Sequence, residues 1–242
     1  GFPFTLFINT SSISNKSKSF VTWEQIREMS ENGAEIANHS MTHDYLIPKR
    51  GESQTVWQTR VQKEVEKAQQ RLQEKLGKKM NEAPRLLSYP FGEYTEESAN
   101  FIKSMGYVGV TQTSGVLSST TDLRAIPRFP MSEAYASPKG FVLKLNTRAM
   151  KVESVKPWNP VVRDVNPPIL HLKLQHPVQK FACYNANGEP ISVTWLSDTE
   201  VEVVAKSALK PPRDKYTCTA QASQNQWYWY SHLWIIDSKM TH

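Results

Sequence analysis

Four prolines, Pro157, Pro160, Pro167 and Pro168, fall within twelve residues and separate two halves of the chain that have different hydrophobic periods. Proline can neither continue a helix nor donate to a strand ladder, so no single regular element crosses this stretch. Before it, short apolar runs alternate with helical periods, the habit of an α/β domain with parallel strands. Beyond it the period is two residues, and short strands follow one another with turn signals between them. The 242 residues are therefore expected to form an α/β domain over 1–148, a proline-rich linker over 149–168 and an all-β sandwich over 169–242.

Within the first half, residues 2–8 read as a buried strand. Thr22 and Gln25 fit a capping box, and Gly33 sits where a helix C-terminus wants a left-handed residue, so 22–32 is expected to be a helix. A strand over 34–38 follows. Val61, Val65, Ala68, Leu72 and Leu76 recur at three- and four-residue spacing, which predicts a long amphipathic helix over 55–76 that is stopped by Gly77. Its many Lys and Glu residues read as a solvated face. A strand over 86–89, a helix over 96–105 ended by Gly106 and a strand over 107–111 complete three βα units.

Composition narrows the function classes. Hydrophobic residues make up 39% of the chain and aromatic residues 10%, too much apolar material for disorder. No stretch approaches the roughly 18–20 apolar residues of a membrane span. The net charge is +6, but the basic residues are scattered, so nucleic acid is not expected as a partner, whereas an anionic glycan or envelope surface would suit the charge. Cys183 and Cys218 both lie in strand-like segments, where a disulfide would imply an oxidising compartment.

Two loops could carry chemistry. Asn38-His39-Ser40-Met41-Thr42-His43 follows a strand, at the edge where α/β folds place their sites, and two histidines four apart can converge on one metal ion. Ser88-Tyr89-Pro90-Phe91-Gly92-Glu93-Tyr94 also follows a strand and leads into a helix; Pro90 stiffens it and Gly92 permits an unusual backbone angle. Taken separately, each could be an ordinary turn with capping or surface residues.

The two loops together, in this order and separated by one long helix, resemble the NodB-type polysaccharide deacetylases, carbohydrate esterase family 4, over about residues 1–130. The resemblance implies an α/β fold of the distorted (β/α) barrel type, followed here by an all-β immunoglobulin-like sandwich. It also implies metal-dependent hydrolysis of N-acetyl groups from an N-acetylglucosamine-type polysaccharide. Carried over, His39 and His43 are metal ligands for a divalent ion, zinc above all, and Ser40 shapes their loop. The Phe91 backbone amide holds the oxyanion, with Tyr89, Pro90 and Tyr94 on the substrate side, and Arg128 lies near the catalytic carboxylate. Because that role uses the backbone, Phe91→Ala is expected to change activity much less than His39→Ala.

The family's Thr-Phe-Asp-Asp-Gly-like element, which supplies base and third ligand, does not occur in this sequence. The expectation is that a preceding portion is absent from this chain, which as written would be inactive. The competing reading is a non-catalytic glycan-binding protein on a degenerate deacetylase scaffold. The general acid is unassigned; His171 is read as a sandwich histidine and the aromatics from Trp227 to Trp234 as partly core, partly possible sugar platform. Export to the periplasm or the cell exterior fits the glycan substrate and the disulfide.

Overall fold

The computed structural model describes residues 4–14, 19–77, 80, 85–131, 137–223 and 225–236. It divides into two compact units: Gly1–Thr111 with Leu123–Ala125, and Gln112–Asp122 with Ile126–His242.

In the first unit, strands β1 (Thr5–Ile8), β2 (Glu35–Asn38), β3 (Arg85–Ser88) and β4 (Tyr107–Val110) form one parallel sheet in sequence order. Sequential order is what a (β/α) barrel uses, whereas a doubly wound sheet reverses its order at a switch point. Among the described residues the sheet is an open run of four strands, without the closure expected of a barrel.

Between the strands lie α1 (Thr10–Ser14), α2 (Trp23–Glu31), α3 (Gln54–Leu76) and α4 (Glu96–Ser104). The capping box of α2 forms as expected, with the Thr22 hydroxyl accepting from the Gln25 N–H and the Gln25 carboxamide accepting from the Thr22 N–H. Helix α3 buries one stripe, Trp57, Val61, Glu64, Val65, Ala68, Gln69 and Leu72. Two of these seven are polar, and both prove to act on the site described below. The short α1 has no apolar period to announce it.

Gly109 of β4 is required by packing: a Cβ there would lie 2.4 Å from both the Tyr89 hydroxyl and the Arg124 carbonyl. That space lets Tyr89 donate to Arg124 at 2.8 Å.

The second unit is a two-sheet β structure. One sheet runs β6-β7-β10-β9 (Val152–Lys156, Ile169–Leu174, Glu200–Val204, Ser192–Trp195), the other β5-β12-β11-β8 (Arg148–Ala149, Gln226–Ile235, Arg213–Ser223, Gln179–Tyr184). Leu170, Leu172, Leu174, Val201 and Val203 from the first sheet meet Tyr216, Cys218, Ala220 and Trp234 from the second in one core. The stretch 149–168, read from sequence as a linker, contributes β6, because its prolines begin only at Pro157 and leave 152–156 able to pair with β7. An eight-residue helix, α5 (Pro138–Leu145), also belongs to this unit and has no sequence-level counterpart in the expectation.

The disulfide joins Cys183 and Cys218, which are register partners on the adjacent strands β8 and β11. An immunoglobulin domain instead bridges its two sheets. Tyr216, two residues before Cys218, ties distant segments together: its hydroxyl donates to the Pro168 carbonyl at 2.9 Å and accepts from the Ala205 N–H at 3.0 Å. Burial pushes its phenol up to about 12. Because the bridge closes a loop of sequence separation 35, replacing both cysteines by alanine is expected to remove about 3–4 kcal/mol of stability by the loop-entropy account. Urea unfolding of the double variant checks this, and a loss under about 1 kcal/mol would contradict it.

Candidate functional site

The loop after β2 starts from a buried amide. Asn38, fully buried, donates through Nδ2 to the Val65 carbonyl (2.9 Å) and to Gln69 Oε1 (3.3 Å) on α3, while its Oδ1 accepts from the Ser40 N–H at 2.8 Å. Ser40 Oγ in turn accepts from the His43 N–H at 3.0 Å. Glu64 Oε2, from the buried stripe of α3, accepts from the Thr42 N–H at 2.8 Å. On the other side the Ile8 carbonyl accepts from the His39 N–H (3.0 Å), and the Met41 carbonyl accepts from the Ser11 N–H (2.9 Å) and from Asn9 Nδ2 (3.0 Å).

This clamp holds an unfavourable backbone. Ser40 and His43 have φ of 65° and Phe91 of 59°, so three of the four described non-glycine residues with positive φ lie in the two loops. Each such residue costs on the order of 1–3 kcal/mol and persists only where its surroundings enforce it. Ser40 suits its place because it is small enough for a fully buried position and supplies the acceptor for His43.

The same clamp aims the histidines. His39 Nδ1 lies 2.8 Å from the Ser88 carbonyl. A carbonyl only accepts, so Nδ1 carries a proton, and in the neutral ring the lone pair then lies on Nε2, the tautomer of a ligating imidazole whose second nitrogen is oriented by a carbonyl. The His43 ring meets the His39 ring edge-on at 4.8 Å between centroids. Two imidazoles side by side, one with a fixed tautomer, fit a first-row divalent ion such as zinc as part of its donor set. Among the described residues they are not joined by a third metal-binding side chain.

The second loop reaches the first through its aromatic ring. Phe91 sits in a 3₁₀ turn over Pro90–Gly92, and its ring packs edge-on against His43 (4.6 Å) and stacks on Tyr45 (4.3 Å, 23° between planes). Tyr89, Pro90 and Tyr94, expected on the substrate side, are instead buried: Tyr89 holds the Arg124 carbonyl and lies against Tyr94. They support the loop from behind, because a strand end and a helix start that leave the sheet together must fill the space between them. The exposed aromatic here is Tyr45, which sequence reading passed over.

Arg128 belongs to the second unit, where its N–H donates to the Thr113 carbonyl at 2.9 Å and burial lowers its guanidinium from the usual value. His171 is an exposed strand residue beside Glu202, at 3.3 Å. Tyr228 and Tyr230 pack on the sandwich core and Trp234 lies inside it, which leaves Trp227 as the exposed member of that aromatic run.

Besides Tyr45, the sequence reading missed Glu64, and it named Asn38 in the loop without its anchoring role. Glu64 is three residues beyond Val61 and one before Val65, on the apolar stripe; a carboxylate there was the available signal. Glu64→Leu is expected to weaken divalent metal binding about tenfold by releasing the Thr42 amide, while Glu64→Gln, which keeps an acceptor oxygen, stays within about threefold. Equal losses in both variants, measured by competition with a metal indicator, would mean that the hydrogen bond does not position the loop.

Residues 1–110 match the family model for polysaccharide deacetylase. Over 136 residues the chain is 30% identical to a putative polysaccharide deacetylase, YxkH, of Bacillus subtilis (strain 168), covering 54% of this chain and 43% of that protein. The chain thus spans less than half the length of this curated relative. Among solved structures it is similar to the Streptococcus pyogenes deacetylase PplD in complex with acetate (24% identity, 57% of this chain and 56% of that one, TM-score 0.46). It is also similar to CopC from Methylosinus trichosporium OB3b (12% identity, 36% of this chain and 93% of that one, TM-score 0.28).

Proposed function

We propose that this chain, whose residues 1–110 match the family model for polysaccharide deacetylase, serves in the metal-dependent hydrolysis of N-acetyl groups from an N-acetylglucosamine-type polysaccharide outside the cytoplasm. The observation that carries the reading is the His39–His43 pair, whose rings meet at 4.8 Å, with the His39 Nδ1–H committed to Ser88. The intrachain disulfide supports an oxidising compartment.

In this reading His39 and His43 hold the ion, and a carboxylate of the kind found in the family's Asp-Asp element completes the protein ligands. A bound zinc-like ion supplies Lewis acidity to the amide carbonyl and a water of lowered pKa. The chain's own contribution is geometric. Asn38, Ser40 and Glu64 fix the loop before any ligand arrives, so the imidazoles lose little freedom on binding. The Phe91 N–H, in a turn held by Tyr89 and Pro90, donates to the oxygen that gains charge as the carbonyl becomes tetrahedral. Hydrophobic support from Leu46 and Ile47, both buried, anchors the segment beyond His43.

The test is release of acetate from an N-acetylglucosamine oligomer by the gene product that carries this chain, with and without zinc. Release that is abolished by chelation and restored by metal is the expected result.

A further inference from the structure

Tyr45 stands two residues beyond His43, between a ligand loop and a stretch sunk into the core. Its neighbours Leu46 and Ile47 are buried, whereas Tyr45 is 37% exposed. One turn of α3 fixes its backbone: Arg60 donates through Nη1 to the Tyr45 carbonyl at 2.6 Å and through Nη2 to the Ile47 carbonyl at 3.0 Å. Arg60 is itself held by both oxygens of Glu52, at 2.7 and 2.8 Å. That pairing holds the Glu52 carboxyl below its ordinary value. Trp57 Nε1 donates to the Leu46 carbonyl at 3.0 Å, a third tie to the same helix.

Its ring is fixed as well. Tyr45 stacks on Phe91, Phe91 meets His43, and His43 meets His39, so four rings form one continuous row with centroid steps of 4.3, 4.6 and 4.8 Å. The row runs from an exposed aromatic to the candidate metal ligands. The Phe91 side chain thus packs between the exposed ring and His43.

We infer that Tyr45, backed by Phe91, is a platform on which one pyranose ring of the glycan stacks, positioning the N-acetyl group of that ring or of its neighbour toward His39 and His43. This rests on the deacetylase reading and narrows its substrate to glycans that present an apolar pyranose face. A pre-ordered ring is suited to the task because stacking on it costs little conformational entropy. Tyr45 is thus a positioning residue.

The experiment uses the gene product that carries this chain, with the β-1,4-linked pentamer of N-acetylglucosamine as probe, and reads pentamer affinity by calorimetric titration separately from acetate release. Tyr45→Ala is expected to weaken the pentamer dissociation constant and raise KM about tenfold, with kcat within about threefold and zinc content unchanged. Tyr45→Phe and Tyr45→Trp, which keep a stacking face, should stay within about threefold of wild type on both readouts. Wild-type affinity in Tyr45→Ala would overturn the inference. So would equal losses in all three variants, or a wild type that does not bind the pentamer. A wild type that binds the pentamer but releases no acetate would overturn the deacetylase reading alone, since the Tyr45→Ala affinity still decides the platform.

Discussion

His39→Ala is expected to strip the bound divalent ion from the gene product that carries this chain and to abolish acetate release with it. In the proposed site the imidazole does two things at once: Nε2 would offer the donor atom, and Nδ1–H occupies the Ser88 carbonyl at the end of β3. Alanine removes the ligand and also frees the strand end that carries the Phe91 loop. Loss of a partner that only orients a ligand costs about 10–100-fold in metal affinity, so loss of the ligand itself should exceed that range. Metal analysis after gel filtration, run beside wild type and Glu64→Gln, is the check. Wild-type metal content in the His39 variant would remove His39 from the site, whatever happens to activity.

The second large effect is predicted in the sandwich. His232 on β12 is 97% buried by its 3% exposure, its Nε2 has no hydrogen-bond partner, and its ring packs on Trp234 at 4.4 Å. Burial alone lowers its pKa to about 3, from the ordinary 6.5. The folded state thus keeps this imidazole neutral at pH values where the unfolded chain protonates it. Stability from this group is full above about pH 6.5, falls as pH drops below that, and levels off near pH 3. At pH 4 the loss is about 3 kcal/mol. His232→Phe, which cannot titrate and leaves no buried nitrogen, should flatten the decline between pH 7 and pH 4 by about that amount relative to wild type in urea unfolding. Parallel declines would show that the imidazole is protonated, or reaches water, in the folded protein.

Local chemistry was the legible part of this sequence. The Thr22–Gln25 capping box, the stripe from Val61 to Leu72 and both loops at strand ends follow from spacing and from side-chain donors and acceptors a few residues apart. What escaped notice depends on contacts between distant segments. Tyr89 and Tyr94 looked like groove residues because a Tyr-Pro-Phe-Gly-Glu-Tyr loop is dense in aromatics, and only the space left by Gly109 shows that Tyr89 points inward. Glu64 hid in a helix rich in Lys and Glu, where position on the stripe mattered more than composition. Tyr45 carries no motif at all; its value comes from Arg60 on the next helix and Phe91 on another loop. The proline cluster suggested a boundary after 148, yet the compact units part earlier, at Thr111, and β6 completes a sheet within the supposed linker. Proline removes a donor at its own position and says little about residues further upstream.

The most direct test of the central claim is acetate counted against new primary amines when the zinc-loaded gene product meets the N-acetylglucosamine pentamer. The account predicts equal amounts of both, absent after chelation, restored by zinc and absent in His39→Ala. A zinc-loaded protein that retains its metal through His39 and His43 yet leaves every acetyl group of the pentamer in place would contradict it.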